Sequence, residues 1–314
     1  MLKFLLLFFY FSLMSLLTIP FFDLPWWLDN LSNLIFICIA LLMIATPFLI
    51  ISFKYRSLIF IIPSVFLVLY HLIPSFYFSK PNEIQKSKSY QFIQANLSYY
   101  NKHIEKFFDK TKSLNSDFIF IFEYSDRNRE KFLQFANGNY MYGYDELQGF
   151  PSGIGVISKY PIIYSHLHKS KTKSAEILEL KFYDKNINTI IHSFLLHPPS
   201  PRSNAKWNDR NTTLKKLTTL VEANKSKFTL IAGDINISPW SFNFPKIKNF
   251  TPCYQGQGYL TSWKLQNDFP KSLITSFIDH CFYNQGFSLK DYKHMKIKGS
   301  DHQALVYQLE LVIK

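Results

Sequence analysis

The sequence is poor in glycine and in charged side chains. Only 10 of its 314 residues are glycine, about 3% against a typical ~7%. Charged residues make up 18%, below the roughly 25% of an average soluble protein. A disordered basic tail is therefore excluded, and the composition is not that of an average cytosolic enzyme. The length allows one large domain or two ordinary ones.

The charges that are present are mostly basic, and they are distributed unevenly. Thirty-five Lys and Arg residues outnumber 22 Asp and Glu residues, which gives a net charge of +13 and a pI near 9.4. Such a balance suits nucleic acid, an anionic membrane surface or a phosphorylated substrate as partner. Residues 1–79 contain five of these charges and no glycine, whereas residues 80–314 carry a net charge of +12.

Three apolar runs in the first part are long enough to cross a bilayer: residues 4–22, 34–53 and 58–78. A span needs about 20 mainly apolar residues without a central charge, and each run meets this condition. The first run also resembles a signal peptide, but no small-x-small cleavage site follows it. We expect a membrane anchor of three helices in residues 1–79, a linker in residues 80–89 and one further domain in residues 90–314. Without glycine, the spans lack a GxxxG packing motif and suit an anchor better than a transporter.

The short loops predict the orientation of the anchor. Lys3 precedes the first run, and Lys54 and Arg56 lie between the second and the third, whereas the loop between the first two has only acidic charges. Positive-inside counting places the N-terminus and the Lys54 loop in the cytoplasm. Three crossings then place residues 80–314 outside the cytoplasm, on a multi-pass membrane protein. Lys80, Lys86 and Lys88 oppose this orientation, although a large translocated domain weakens their effect.

The second part alternates strand and helix patterns. Strands are predicted for "YQFIQANLS", "DFIFIFE" and "KFTLIAGD", for about 140–147, 153–158, 175–183 and 187–196, and for "ITSFIDHCFY" and "HQALVYQLELVI". Helices are predicted for "NKHIEKFFDKTKSL", about 127–135 and "NAKWNDRNTTLKKLTTLVEAN". This mixture indicates a layered α/β domain.

Polar residues stand at the ends of several of these strands. They are Asn96, Glu123, His197, Asp234, Asn236, Asp279, Asp301 and His302. Each one alone is compatible with a turn or a helix cap. Their order and spacing as a set indicate a catalytic site.

The pieces that hold them, "QANLS", "IFIFE", "GIGVISKYPI", "LLHPPSPRSN", "IAGDINISPW", "SFIDHCF" and "GSDHQALV", resemble the endonuclease/exonuclease/phosphatase (DNase I-like) superfamily. They cover nearly all of residues 90–314, in family order. The "HPP…R" and "GDINISPW" pieces resemble a bacterial subgroup with N-terminal membrane spans, which implies a multi-pass protein of the bacterial inner membrane. The resemblance implies a four-layer α/β/β/α sandwich and hydrolysis of a phosphoester with Mg²⁺ or Mn²⁺.

The residue types suit that chemistry. Glu123 and Asp301 are suitable Mg²⁺ ligands, with Asn96 beside them. The resemblance implies that Asp234 positions or deprotonates the attacking water and that Asn236 contacts phosphate. It also implies that His302, oriented by Asp279, donates to a phosphate oxygen, or alternatively acts as the base. His197 would be a second phosphate contact or a proton donor to the leaving oxygen.

Zinc is a weaker alternative. His192 and His197 are five residues apart on a predicted strand, so their side chains face opposite ways. His166 and His168 would share a face, but "YSHLHKSK" is interpreted as a polar connection between strands. Cys253 and Cys281 fit a disulfide and a pair of free buried thiols equally well.

The substrate expected is a phosphodiester, in nucleic acid for a nuclease-type enzyme or in a phospholipid headgroup for a sphingomyelinase-like one. The lysines favour a polyanion, but they are scattered and also fit a solvated surface. Tyrosines that could stack on bases are Tyr99, Tyr100, Tyr140, Tyr142 and Tyr144. A non-catalytic binding module of the same fold is the other alternative, which the complete set of site residues opposes. The bilayer is the other expected partner, and no protein partner is predicted.

Overall fold

The computed structural model describes residues 1–76, 88–143, 149–170, 176–257, 261–265 and 274–312. Most of the predicted linker 80–89, the last two residues of the third apolar run and Tyr144 lie outside the described residues. So do Lys80 and Lys86, two of the three lysines that oppose the expected orientation.

The N-terminal region is helical. Its helices are α1 (Leu2–Leu17), the short α2 (Trp26–Asp29), α3 (Ile35–Phe53) and α4 (Leu58–Phe76). Within the described part of the chain, two helical stretches are long and apolar enough to cross a membrane, Leu2–Phe21 and Trp26–Leu72. The second stretch contains α3 and most of α4, joined by the turn Lys54–Ser57. The first stretch also has the length and composition of a signal sequence.

The helices bury one side of themselves and expose apolar side chains on the other. Leu17, Ile39 and Leu49 are among the residues buried between α1 and α3. Phe8 and Ile51 are 66% and 78% exposed. Large apolar side chains exposed around the whole bundle suit an apolar surrounding medium better than water.

The remaining helices and strands form one layered domain. The helices are α5 (Ile104–Lys112), α6 (Arg129–Ala136) and α7 (Asn204–Ala223). The strands are β1 (Ser89–Asn96), β2 (Phe118–Phe122), β3 (Tyr140–Tyr142), β4 (Gly155–Ser158), β5 (Ile162–His168), β6 (Ile177–Asp184), β7 (Thr189–Leu196), β8 (Thr229–Asp234), β9 (Phe250–Pro252), β10 (Trp263–Lys264), β11 (Thr275–Ser276), β12 (Asp279–Asn284), β13 (Phe287–Lys296) and β14 (Gln303–Leu311).

Two six-stranded mixed sheets face each other. The first has the order β13-β14-β1-β2-β4-β3 and the second β5-β6-β7-β8-β12-β9, while β10 and β11 form a separate pair. The pairs β1–β2 and β7–β8 are parallel, and the other pairs in these two sheets are antiparallel. Helices α5 and α6 cover the outer face of the first sheet, and α7 covers that of the second. The four-layer α/β/β/α sandwich expected from the sequence is confirmed.

The central strands are apolar on both sides because both of their faces are covered. In β2, Phe118 and Phe120 pack between the two sheets against Phe182 of the second sheet. The alternate residues Ile119 and Ile121 pack under α5 and α6. Full burial of all five residues of β2 explains the unbroken FIFIF run.

Most predicted elements are present, and two sequence interpretations fail. Residues 162–168 form strand β5 at the edge of the second sheet, so the polar connection predicted around His166 and His168 is wrong. Four consecutive residues of this strand are exposed, on both of its faces, so the usual alternation is absent. Strand β13, another edge strand, was not predicted.

Cys253 and Cys281 form a disulfide, and Cys38 is free and buried.

Candidate active site

The polar strand-end residues are brought to one end of the sandwich. Six of the eight line a single cleft of about 1290 Å³, namely Glu123, His197, Asp234, Asn236, Asp301 and His302. The other two, Asn96 and Asp279, are buried and hydrogen-bond to residues of the cleft. The strand pairing explains the convergence, because β1 and β2 run parallel and Asp279 lies directly opposite Asp234 in the β8–β12 register.

Asn96 connects the two carboxylates at the centre of the cleft. Its Nδ2 donates to Glu123 Oε1 at 3.1 Å and to Asp234 Oδ2 at 2.9 Å. Its Oδ1 accepts from the backbone N–H of Ser98 at 2.9 Å. The amide therefore holds Glu123 and Asp234 at a fixed spacing, with its own oxygen already bonded.

His302 and Asp279 form a buried ion pair. Nδ1 of His302 lies 2.8 Å from Asp279 Oδ2, and its Nε2 lies 3.7 Å from Asp234 Oδ2. Burial alone would lower the pKa of His302, but the carboxylates of Asp279 and Asp234 raise it to about 10. The imidazole thus carries a positive charge at neutral pH and directs Nε2 towards the cleft carboxylate.

His197 and Asp234 complete the cluster. Nε2 of His197 lies 3.5 Å from Glu123 Oε1 and 3.6 Å from Asp234 Oδ2. Burial lowers the pKa of His197, partly opposed by Glu123. Burial and the negative charge of Asp279 raise the pKa of Asp234 well above its usual range. A carboxylate with raised basicity suits proton abstraction near neutral pH.

Two of the site residues expected from the sequence have an unusual backbone conformation. Glu123 and Asn236 lie in the left-handed region, with φ of 53° and 52°. For Glu this conformation is uncommon, and such backbone positions cluster at functional sites. The Asn236 side chain donates to the carbonyl of Pro198 at 3.0 Å, which ties it to the segment that follows His197.

A glycine next to Asp234 permits close approach of two strands. A Cβ on Gly233 would lie 2.1 Å from the carbonyl oxygen of Leu196 on β7. Any side chain here would push β8 from β7 and shift Asp234. One of the few glycines of the chain is therefore needed directly beside the site.

The donor set fits a divalent cation. Ligand atoms of Glu123, His197 and Asp234 lie within 4.8 Å of one another, whereas His302, the charged partner of Asp279, is not available as a ligand. Asp301, expected from the sequence as a metal ligand, lines the same cleft, and its Oδ2 accepts from Trp263 Nε1 at 2.8 Å. Carboxylates with a half-exposed face suit a hard cation such as Mg²⁺, which fills its shell with water and phosphate oxygens.

Sequence reasoning missed residues that orient the site. Ser262 Oγ accepts from the backbone N–H groups of Ile278 and Asp279, each at 3.0 Å. Ser300 Oγ donates to the carbonyl of Asn96 at 2.9 Å and accepts from His302 N at 3.0 Å. Trp263, which holds Asp301, is the third such residue. No strand pattern marked the Ser262–Trp263 pair, whereas Ser300 stands inside the quoted "GSDH" piece.

The basic charge of the domain is not concentrated at the cleft. Among the described residues that line it, Arg202 is the single Lys or Arg, against four carboxylates, Glu123, Asp126, Asp234 and Asp301. Of the five tyrosines considered for base stacking, Tyr99 and Tyr100 line the cleft and are 40% and 77% exposed. Among the described residues, the basic side chains therefore lie mainly away from the cleft.

Comparisons with known proteins agree with this geometry. Residues 92–302 match the model of the Endonuclease/Exonuclease/phosphatase family. No curated protein sequence matches the chain.

Solved structures share the fold at low sequence identity. TDP2 from D. rerio complexed with single-strand DNA product is 13% identical, covers 71% of this chain and 99% of its own, and has a TM-score of 0.60. A protein of the same family from Bacteroides thetaiotaomicron is 14% identical over 73% and 100%, with a TM-score of 0.54. The human Nocturnin catalytic domain with bound sulfate is 14% identical over 73% and 96%, with a TM-score of 0.55.

Proposed function

The chain belongs to the endonuclease/exonuclease/phosphatase family, and on this premise we propose that it is a membrane-anchored, divalent-metal-dependent phosphodiesterase. Members of this family hydrolyse phosphodiester bonds. The observation that carries the proposal is the joining of Asn96, Glu123 and Asp234 with the His302–Asp279 ion pair in one cleft. A domain that only binds its ligand has no need of a charged histidine directed at a buried carboxylate.

Glu123 and Asp301 would hold Mg²⁺ or Mn²⁺, with Asn96 beside them. Because Asn96 donates to Glu123, it acts in this arrangement by fixing the carboxylate. A bound cation would stabilise the charge that develops on a phosphate oxygen. It would also offset the excess of carboxylates in the cleft.

The other residues would bind and move protons. Asp234 Oδ2, 3.7 Å from His302 Nε2, would hold the attacking water and take its proton. His302 would donate from Nε2 to a non-bridging phosphate oxygen, with Asp279 keeping it charged. His197 would contact the phosphate or protonate the leaving oxygen, and Asn236 would contact the phosphate from the cleft wall.

Several contacts support an anchor of three spans with the enzymatic domain outside the cytoplasm. The loop between α1 and α3 contacts the domain that follows α4, so both must lie on one side of the membrane. Between this loop and the domain the chain would cross the membrane twice, through α3 and α4. Together with the crossing by α1, this gives three spans. The Cys253–Cys281 disulfide favours an oxidising compartment, as the bacterial periplasm is.

Two substrate classes remain for this chemistry. A nuclease-type activity is supported by Tyr99 and Tyr100 at the cleft and by the fold shared with TDP2, which has been solved with single-strand DNA product. A phospholipid headgroup is supported by the position of the cleft beside the hydrophobic helices.

Metal-dependent turnover tests the proposal. The purified full-length protein in detergent should hydrolyse bis(p-nitrophenyl) phosphate with Mg²⁺, lose the activity in EDTA and regain it when Mg²⁺ is restored. Glu123→Gln should lower the rate at saturating substrate and raise the Mg²⁺ concentration needed. Glu310→Gln, the same change on β14, where the carboxylate pairs with Lys290 and does not line the cleft, should leave both unchanged. Equal rates with Mg²⁺ and EDTA would contradict metal dependence.

A further inference from the structure

The loop between the first two hydrophobic helices, residues 26–34, is built into the enzymatic domain. Asp29 in this loop is 2% exposed and accepts from Arg210 Nη2 at 2.9 Å. It also accepts from Trp207 Nε1 at 2.7 Å and from Ser241 Oγ at 2.5 Å. A carboxylate buried with a paired guanidinium and two further donors fixes the loop in one geometry, because separating the ions would leave buried charges unpaired.

The same contacts extend to the active site. Arg210, itself 2% exposed, donates through Nη1 to the backbone carbonyl of Asn236 at 2.9 Å. On the other side of the loop, Asn30 Nδ2 donates to the carbonyl of Pro201 at 2.8 Å and Asn33 Oδ1 accepts from Ser276 Oγ at 2.6 Å. The loop is therefore fastened to three segments that line the cleft.

Four residues of the loop form part of the cleft wall itself: Trp26, Asn30, Asn33 and Leu34. Leu34 directly precedes α3, the second hydrophobic helix. Trp240 of the domain packs edge-on against Phe36 in the first turn of α3, with ring centroids 4.6 Å apart. Since a spanning helix begins at the edge of the hydrocarbon core, this wall lies at the depth of the lipid headgroups.

We propose that the cleft takes a phosphodiester carried by an amphiphile that resides in the bilayer, with the four loop residues named above as the wall that receives it. This rests on the phosphodiesterase function proposed above. The lining, as far as the described residues show it, suits one phosphodiester with an apolar neighbour: it has one Arg and four carboxylates, next to Leu34, Leu265 and Ile274. Leu265 and Ile274 are 43% and 39% exposed. A nucleic acid strand would need several cations along its backbone.

The reaction is a simple hydrolysis. The oxygen of water adds to phosphorus, one P–O ester bond breaks, and the departing alkoxide takes up a proton. The products are one phosphomonoester and one alcohol, and no oxidant or further reactant is required.

The test measures how fast the full-length protein hydrolyses three substrates in the presence of Mg²⁺. The protein is held in detergent or reconstituted into vesicles. The substrates are bis(p-nitrophenyl) phosphate, a single-stranded oligonucleotide, and vesicles of phosphatidylethanolamine, phosphatidylglycerol and cardiolipin. Hydrolysis of the vesicle lipids is measured by the ³¹P signal of the phosphomonoester product. We expect kcat/KM per phosphodiester to be at least about tenfold higher for the vesicles than for the oligonucleotide. Faster cleavage of the oligonucleotide, or hydrolysis of bis(p-nitrophenyl) phosphate without hydrolysis of lipid, would overturn this proposal alone. Hydrolysis of none of the three would overturn the proposed function as well.

Neighbouring tryptophans give a matched pair of variants for the wall. Trp26 lines the cleft, whereas Trp27 is 55% exposed and is not among its lining residues. Trp26→Ala should lower the ratio of vesicle to bis(p-nitrophenyl) phosphate kcat/KM about tenfold, as expected for a lost aromatic contact. Trp26→Phe should restore most of the ratio, and Trp27→Ala should leave it within about twofold. An unchanged ratio in Trp26→Ala would refute the role of the loop as a substrate wall.

Discussion

Replacing Asp279 by Asn should shift the alkaline limit of activity through His302. The two side chains are buried and lie 2.8 Å apart. With the carboxylate present, the pKa of His302 is raised to about 10, so the imidazolium persists across the neutral range and is lost only as the pH rises through that value. A neutral amide of the same size removes the nearest negative charge without opening a cavity.

The size of the shift follows from the loss of one nearby opposite charge. Such a charge moves a pKa by about 1–3 units, and a shift of about 2 units corresponds to about 2.7 kcal/mol. The pKa of His302 would then fall from about 10 to about 8. At pH ~9 the charged fraction would drop from about 0.9 to about 0.1, while near pH ~7 it would change little.

The assay is the pH profile of kcat/KM for bis(p-nitrophenyl) phosphate with the full-length protein. We expect the alkaline limb of Asp279→Asn to lie about 2 units lower than that of the wild type. A purely structural effect would lower activity by the same factor at every pH. Asp291→Asn, which removes an exposed carboxylate near Lys293 on β13, should keep the wild-type limb. An alkaline limb unmoved in Asp279→Asn would refute the proton-donor role of His302.

Three further outcomes follow from the contacts. Removing the Cys253–Cys281 disulfide, which closes a loop with a sequence separation of 28, should lower the free energy of unfolding by about 3–4 kcal/mol, seen as a lower melting temperature. Asp29→Asn leaves Arg210 buried without its counter-charge and should destabilise the protein by about 3–5 kcal/mol in the same assay, with partial recovery in Asp29→Asn/Arg210→Met. A reporter fused after Lys314 should show activity outside the cytoplasm and none inside it. Activity in the cytoplasm would overturn the proposed topology.

Much of the domain could be predicted from local patterns. The FIFIF run of β2 and the spacing of Leu214, Leu217 and Val221 on α7 reflect burial that is visible in the sequence. The edge strands β5 and β13 were missed; β5 exposes most of its residues and carries no core alternation. Periodicity reports burial, and an edge strand has little of it.

The active site also contains residues that local sequence patterns reveal and residues that only tertiary contacts reveal. The cleft residues could be proposed because they recur at strand ends in a recognisable order, and the structure brings them together. The contribution of Asp29, by contrast, depends on a partner 181 positions away in the chain, Arg210, that no local pattern connects to it. The sequence placed Asp29 in a short loop of the anchor, and its burial in the enzymatic domain is a tertiary contact. Trp263 and Ser262 were missed for the same reason.

The most direct test of the proposed function is the Mg²⁺-dependent turnover of bis(p-nitrophenyl) phosphate by Asp234→Asn, measured on the full-length protein. Asp234 accepts from Asn96, faces both histidines and is the proposed base. Loss of a general base lowers kcat by about 100- to 10,000-fold, and we expect a loss in this range. A kcat within about threefold of the wild type would contradict a hydrolytic site centred on Asp234.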